Sequence, residues 1–166
     1  MTVREIRLYG DPVLRTVCDP VLEIDAKVRS LIEDLIDTTK LPGRAGVAAP
    51  QIGVSLRAFS YNVDGKVGYL INPEIVEADG HQVYQEGCLS VPGIYADVKR
   101  ANQIRVRALD RDGQVFELDA DGLLAVCIQH EMDHLAGKVF VDYLSPLKRE
   151  QVKKKLAKQQ RSEAAA

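Results

Sequence analysis

Residues 120–135, ADGLLAVCIQHEMDHL, place two histidines and a glutamate in a stretch that is otherwise apolar on nearly all sides. The stretch has no proline and only one early glycine, which predicts a buried helix. Four residues advance a helix by about 6 Å, slightly more than one turn. His130 and His134 therefore project from one face with Glu131 beside them, the H-E-x-x-H pattern of a metal site. The alternative is that both histidines lie in the core and hydrogen-bond to the backbone, with Glu131 at the surface. This alternative is disfavoured, because a helix that is apolar on nearly all sides buries Glu131 as a third ionisable group, which is costly.

An open catalytic metal site normally has a third protein ligand besides the two histidines. The sequence HEMDHLAGKVF has Phe140 where a metzincin has its third histidine, which excludes that class. A downstream glutamate is one remaining candidate. Cys88 is the better one, because a thiolate binds metals well and Gly87 lets the backbone approach closely. We interpret Cys18 and Cys127 as small buried apolar residues.

The length of 166 residues suits one domain with its own core and is too short for two typical ones. A net charge of -2 gives no sign of the basic domain that nucleic-acid binders usually have. The start MTVREIRLYGDPVL resembles neither a secretory signal nor a transit peptide, and no stretch approaches the roughly 20 apolar residues of a membrane span. Three widely spaced cysteines fit a reducing compartment. We expect a cytoplasmic monomer.

The remaining pattern predicts an α+β fold in a single domain. Asp25 can cap a helix with an apolar stripe, and a loop rich in Gly and Pro follows over Leu41–Gly53. Short runs with Asp-Gly turns between them then predict antiparallel strands, including a hairpin over Leu109–Gln114 whose acids form the turn. The predicted strands lie between Leu56 and Leu118 and include Arg57–Asn62, Val67–Asn72, Gln103–Leu109 and Gln114–Leu118.

A final helix is predicted to begin at Pro146 and to carry Lys and Arg on most polar positions, with a frayed end over residues 161–166. We expect residues 1–147 to form the catalytic part. Residues 148–166 form the basic helix and tail of the same domain. The antiparallel strands are expected to pack around the central H-E-x-x-H helix, between an N-terminal and a C-terminal helix.

Three segments of the chain, in order, read RAGVAAPQ, EGCLS and QHEMDH. They resemble the ordered motifs GxGxAAxQ, EGCLS and QHExDH of the peptide deformylase family, and the similarity extends from RLYGDPVLR to FVDYLSPLK. The resemblance implies an α+β deformylase fold and hydrolytic, metal-dependent removal of formyl groups from the N-terminal formyl-methionine of new polypeptides, with release of formate. It also implies Fe(II) as the metal, with Zn, Ni or Co as substitutes, since a Cys-His-His set suits several such ions. The implied metal ligands are Cys88, His130 and His134.

The resemblance also implies roles for other residues. Glu131 acts as general base and acid, while the Gln51 side-chain amide and the Leu89 backbone N–H stabilise an oxyanion. Gly46 and Gly87 let the substrate lie along the cleft as an added strand.

Val126 and Cys127, about one helical turn before His130, can line a pocket for the methionine side chain, although core packing explains them equally well. Gln129 and Asp133 flank the histidines and can support them, although Asp133 suits a helix surface as well.

Arg44 departs from the family pattern, because the first motif normally begins with glycine. Its side chain can point into solvent, or it can reach over the cleft mouth and favour substrates with acidic groups. A divergent deformylase that prefers other N-acyl groups is therefore an alternative.

Residues 148–158 carry six basic residues and one acidic residue. A solvated helix explains them, and so does contact with ribosomal RNA, as in bacterial family members with a similar helix. Two further alternatives are a general H-E-x-x-H endopeptidase, and a protein without catalysis that serves as a ribosome-associated or metal-storing module.

Overall fold

The computed structural model of the chain describes residues 2–165, which form one α+β unit with antiparallel sheets, as predicted. Short 3₁₀ turns occur at Pro12–Arg15, Ala49–Ile52 and Phe140–Tyr143. The helices are α1 (Ala26–Thr39), α2 (Gly122–Leu135) and α3 (Pro146–Ala165). The strands are β1 (Gly46–Ala48), β2 (Ala58–Val63), β3 (Lys66–Asp79), β4 (Gln82–Cys88), β5 (Val91–Arg100), β6 (Gln103–Leu109) and β7 (Val115–Asp121).

The larger sheet has five antiparallel strands in the order β1-β2-β3-β6-β7, and α1 and α2 pack on its opposite faces. Neighbouring residues of one strand point to opposite faces. Phe59 accordingly packs with α2 residues such as Ile128, whereas Ala58 packs with α1 residues such as Leu35. Because apolar side chains lie on both faces of the sheet, each of the two helices packs against an apolar surface.

The smaller sheet is the hairpin of β4 and β5, which packs against α3 and the segment after α2. Val152 and Leu156, four residues apart on α3, supply the buried stripe that meets Val91 and Ile94. Helix α2 thus lies between the five-stranded sheet and this hairpin, and the predicted central position of the H-E-x-x-H helix is confirmed.

The structure differs from the sequence-based prediction in several places. Strand β3, predicted to end at Asn72, continues to Asp79. The predicted loop Leu41–Gly53 contains β1 and a 3₁₀ turn, because Gly46 pairs with Tyr61 of β2, a partner that the local Gly and Pro pattern does not reveal. Helix α2 begins at Gly122 and not at residue 120, since Asp121 is still extended, with φ -138°. Helix α3 continues to Ala165 through most of the segment predicted to fray, and Ala166 lies outside the described residues. No helix within residues 2–165 combines the length and apolar character that crossing a membrane requires.

The hairpin predicted over Leu109–Gln114 is confirmed. Asp110 N–H donates to the carbonyl oxygen of Gln114 at 2.9 Å, and Asp110 Oδ1 accepts bonds from Asp112 N–H and Gln114 N–H. Gly113 has φ +79°, as such turns require. These acids therefore form the turn, as predicted.

The ion pair of Arg15 with Asp142 joins the N-terminal segment to the residues after α2, with N···O distances of 2.6 and 3.0 Å. Partial burial raises the pKa of Asp142, but the hydrogen bonds from Arg15 and from Val139 N–H, together with the nearby positive charge, outweigh burial and leave the pKa below its ordinary value. We expect Asp142→Asn to cost about 1 kcal/mol at pH 7, or about 2–4 °C in Tm. A carboxylate with a lowered pKa stabilises the fold above about pH 3.9, so the difference from wild type should vanish as the pH falls through the pKa of folded Asp142.

Thermal unfolding of both proteins between pH 3 and 8 measures this difference. Asp119→Asn is the control, because the side chain of Asp119 is 73% exposed in its pair with Arg105. An equal shift in the control, or a difference that persists in acid, would contradict the assignment.

Candidate metal centre

Cys88, His130 and His134 form a group that can hold a metal ion. Helix α2 presents both imidazoles one turn apart, with ring centres separated by 5.1 Å, and β4 ends at Cys88. Their donor atoms all lie within 4.8 Å of one another, and Cys88 Sγ is 3.4 Å from His134 Nε2. The fold thus brings together the three residues that the sequence proposed as ligands.

The polar atoms around this group fit a cation. Glu131 Oε1 and His134 Nδ1 are buried and have no hydrogen-bond partner among the described residues. Burial holds the pKa of His134 well below its ordinary value, so its imidazole is neutral, as a ligand must be. Burial also lowers the pKa of His130, but hydrogen bonds with Cys88 and Glu86 reverse the sign and raise it. The acidic groups around His130 therefore favour positive charge at this position.

Glu86 orients the His130 ring from behind, through a contact of 2.8 Å between Glu86 Oε1 and His130 Nδ1. Arg100 in turn donates two hydrogen bonds to the Glu86 carboxylate, at 2.8 and 2.9 Å, and a third to Asp133. Burial raises the pKa of Glu86, yet Arg100 and His130 outweigh it and keep the carboxyl ionised. Because Nδ1 is engaged, His130 presents Nε2 to the site.

Sequence reasoning missed Glu86 and Arg100 as supporting residues, although Glu86 lies in the EGCLS segment two residues before Cys88. Asp133 and Gln129 were considered for this role. Asp133 serves through Arg100, while the Gln129 side chain bonds the backbone of Ala101 at 2.9 and 3.0 Å and makes no hydrogen bond to either histidine ring among the described residues.

We expect Glu86→Ala to weaken metal binding about 10–100-fold, because His130 loses the partner that fixes its orientation. The change also leaves buried Arg100 with one acidic partner, which should destabilise the fold by roughly 3 kcal/mol. Metal titration of the apoprotein and chemical denaturation measure the two effects. Glu77→Ala is the control, since the pair of Glu77 with Arg105 is exposed. Metal affinity unchanged in Glu86→Ala would contradict the orienting role.

Glu131 lines the cleft where α2 packs against Gly46 of β1. A Cβ atom at Gly46 would lie 2.7 Å from Glu131 Oε2 and 2.9 Å from Cys127 Sγ, so any larger residue would displace the helix or its side chains. Glu131 is 3% exposed, and burial raises its pKa to about 7. A carboxyl group with such a pKa can accept and return a proton near neutral pH.

The Gln51 side chain is fixed at both ends of its amide. Gln51 Oε1 accepts a bond from Ala48 N–H at 2.9 Å, and Nε2 donates to Ser90 Oγ at 3.1 Å while reaching to 3.6 Å from Cys88 Sγ. The N–H₂ end therefore points toward the predicted metal ligands. Sequence reasoning missed Ser90, whose only signal was its place at the end of the EGCLS segment.

A cleft of about 510 Å³ leads to Glu131 and His130, and all the residues predicted to bind substrate line it. Gly87 differs from expectation, because the Tyr95 ring covers it: an added Cβ would lie 2.7 Å from Tyr95 Cε1. The lack of a side chain at Gly87 thus leaves room for the Tyr95 ring at the edge of the cleft. The predicted lining residues are Arg44, Gly46, Gly87, Val126 and Cys127, together with Gln51 and Leu89.

Arg44 lies at the cleft edge but turns its guanidinium toward α1. Arg44 Nη1 donates to the carbonyl oxygen of Thr38 at 3.0 Å, one of the last carbonyls of that helix. A cation at this end of a helix is favourable. The Arg44 side chain is half-buried and forms part of the cleft wall, so it does not extend into solvent.

A buried H-E-x-x-H helix whose histidines meet a cysteine thiol at the base of a cleft defines the class of metal-dependent hydrolases. The chain matches the model of the polypeptide deformylase family over residues 3–150. The chain belongs to the polypeptide deformylase family, metalloenzymes that remove the N-formyl group from nascent polypeptides.

Similar proteins cover nearly the whole chain. Peptide deformylase 2 of Xanthomonas axonopodis pv. citri is 53% identical over 167 residues, with 97% of this chain and 98% of the relative covered. Peptide deformylase 1 of Burkholderia multivorans is 48% identical, with 98% and 92% covered. The crystal structure of a peptide deformylase from Legionella pneumophila has a TM-score of 0.93 at 46% identity, with 99% of both chains covered.

Proposed function

We propose that this chain hydrolyses the formyl group of N-terminal formyl-methionine with Glu131 as general base and acid, beside a divalent ion held by Cys88, His130 and His134. The observation that carries the assignment is the Glu131 carboxylate, which is buried, finds no hydrogen-bond partner for Oε1 within residues 2–165 and lines the cleft beside the donor set. A divalent ion held there would supply Lewis-acid chemistry, which activates water and polarises the formyl carbonyl. The Glu131 carboxylate would take the proton of the attacking water and pass it to the leaving amine.

The Gln51 amide and the Leu89 N–H are proposed to stabilise the oxyanion of the tetrahedral intermediate. Gln51 Nε2 directs one hydrogen to Ser90 Oγ at 3.1 Å and the other toward Cys88 Sγ at 3.6 Å, so a substrate oxygen would replace the longer of these two bonds. The Gln51 amide cannot rotate by 180° without losing the hydrogen bond that Oε1 accepts from Ala48 N–H. Such a preorganised donor is typically worth about 10²–10³ in rate.

The substrate is proposed to add a strand at the free edge of β1. β1 stands at one end of the five-stranded sheet, and its outer edge at Gly46 borders the cleft. An extended peptide can therefore pair with this edge while its methionine side chain enters the apolar part of the cleft beside Val126 and Cys127.

We propose Fe(II) as the native ion, with Zn, Ni or Co able to replace it. The support is the family membership together with a donor set of one thiolate and two imidazoles, which suits several divalent first-row ions. Metal analysis of protein purified without oxygen tests this assignment.

We propose that the enzyme works as a cytoplasmic monomer near the ribosome, through the exposed cations of α3. Val152 and Leu156 anchor one side of the helix, and the basic residues of 148–158 are exposed. A ribosome contact of this kind should weaken steeply with salt, because it releases counterions from RNA. Binding that is insensitive to salt would contradict it. The exposed cations are Lys148, Arg149, Lys153, Lys154, Lys155 and Lys158.

Arg44 is proposed to favour substrates with an acidic group after the methionine. Arg44→Gly should raise KM about 2- to 5-fold for a formyl-Met peptide whose next residues are acidic, as expected for one partly exposed ion pair. It should leave KM for the matched lysine peptide unchanged or lower. Steady-state kinetics with the two peptides measures the ratio. An unchanged ratio would mean that Arg44 serves only as a partner of the α1 carbonyl.

Formate release from formyl-Met-Ala-Ser tests the proposed function, with acetyl-Met-Ala-Ser and an unmodified longer peptide as comparison substrates. We expect rapid release from the formyl peptide alone. Faster hydrolysis of the acetyl group would indicate a divergent acyl preference, and cleavage of an internal peptide bond would indicate an endopeptidase. No hydrolysis of any of them would favour the binding-module alternative.

A further inference from the structure

The main chain of residues 7–9 contacts both loops that carry the proposed oxyanion donors. Arg7 N–H donates to the Gln51 carbonyl oxygen at 2.7 Å, and Tyr9 N–H donates to the Ser90 carbonyl oxygen at 2.8 Å. Gln51 lies in the 3₁₀ turn after β1, whereas Ser90 lies between β4 and β5. The two sheets share no strand pairing within residues 2–165, so residues 7–9, here called the N-terminal clip, join them through the backbone.

Both acceptors are buried and lie next to the donors. Gln51 is 1% exposed and is itself the residue that carries the donor amide. Ser90 is fully buried and directly follows Leu89, whose N–H is the second donor. The N–H groups of Arg7 and Tyr9, two residues apart, can be separated by at most about 7 Å. The N-terminal clip therefore limits how far the two loops can move apart.

Each end of the N-terminal clip is held in place. Upstream, Arg4 N–H donates to Thr38 Oγ1 of α1 at 2.9 Å. Downstream, the Arg15 guanidinium lies 5.5 Å from the centre of the Tyr9 ring, and Arg15 in turn pairs with Asp142. The Tyr9 ring also packs on the apolar cluster of the β4–β5 hairpin. These contacts prevent the segment from sliding along the two carbonyls.

We infer that the N-terminal clip is a positioning element, which holds the Gln51 amide and the Leu89 N–H at the separation that the oxyanion requires. The inference rests on the proposed function. The N-terminal clip residues do not line the cleft, so loosening them acts on the transition state and not on substrate binding. A misplacement of about 1 Å can cost on the order of 10²-fold in rate.

Arg7→Pro and Tyr9→Pro each remove one of the two N–H donors. Leu8→Pro is the matched control, because Leu8 N–H donates no hydrogen bond within the described part of the chain. We expect kcat for formyl-Met-Ala-Ser to fall about 10- to 100-fold in both variants, with KM within about threefold and metal content unchanged. The kcat of the double variant should be no lower than that of the less active single variant, since either change breaks the same connection between the two loops.

Wild-type kcat in both variants would overturn the inference. So would an equal loss in Leu8→Pro, or a loss that tracks metal content or KM, because each would indicate a general structural role. If the proline variants do not fold, Tyr9→Ala is the deciding test, because it keeps the backbone N–H but removes the ring that holds the segment in place. It should lower kcat severalfold, and Tyr9→Phe, which keeps the ring, should restore kcat. Absence of this loss would overturn the inference. A wild-type protein that releases no formate would refute the proposed function instead.

Discussion

Glu131→Gln is expected to lower kcat for formate release by roughly 10²–10⁴-fold while KM and metal content stay near wild type. The amide keeps the shape of the side chain but cannot take a proton from water. Glu131 is 3% exposed and lies against Gly46, so a substitution of equal size avoids displacing α2. Stability should not fall, because an amide costs less to bury than an ionised carboxylate.

Steady-state kinetics, metal analysis and thermal unfolding of the same preparation separate these effects. Glu150→Gln on the exposed face of α3 is the matched control and should change none of the three. A Glu131→Gln variant that keeps its metal and more than a tenth of the wild-type kcat would contradict the proton-transfer role.

Cys88→Ala is expected to abolish both metal retention and turnover, because it removes one of the three proposed ligands and the only thiol among them. Loss of an orienting partner alone typically costs about 10–100-fold in metal affinity, so loss of a ligand should cost more. Cys18→Ala is the matched control: Cys18 is 4% exposed, packs in the core against α2 and the sheet, and should keep full metal and activity.

Metal titration of the reduced apoprotein and formate release measure both properties. If Cys88→Ala held one ion per chain and turned over normally, the third ligand would be another residue, such as the downstream glutamate that the sequence alone left open. If Cys18→Ala lost as much metal and activity, the effect of Cys88→Ala would reflect disruption of the core and not the loss of a metal ligand.

The histidine pair could be predicted from sequence because its geometry is local. A spacing of four residues on a helix fixes the relative positions of His130 and His134 whatever the rest of the fold does. The same holds for the Leu109–Gln114 hairpin, where Asp-Gly sets the backbone of the turn. The chemistry of a thiolate made Cys88 the better candidate for the third ligand, but only the family resemblance implied it outright, since nothing local relates β4 to α2.

The supporting residues could not be predicted, because their partners are distant in the chain. Arg100 lies 14 residues from Glu86 and 33 from Asp133, and only the β4–β5 pairing and the position of α2 bring their charges together. The strand β1 was missed for the same reason, since its one partner is β2 and its three residues carry no alternating pattern of their own. Contacts between distant segments thus account for the part of the site that sequence patterns left open.

Reconstitution of the apoprotein with Fe(II), without oxygen, tests the central claim most directly. Formate released from formyl-Met-Ala-Ser should rise in proportion to bound ion, reach its maximum at one ion per chain, and fall to background on chelation. Formate release that is independent of bound metal, or a fully loaded protein that leaves the formyl peptide intact, would contradict the assignment of this site to metal-dependent deformylation.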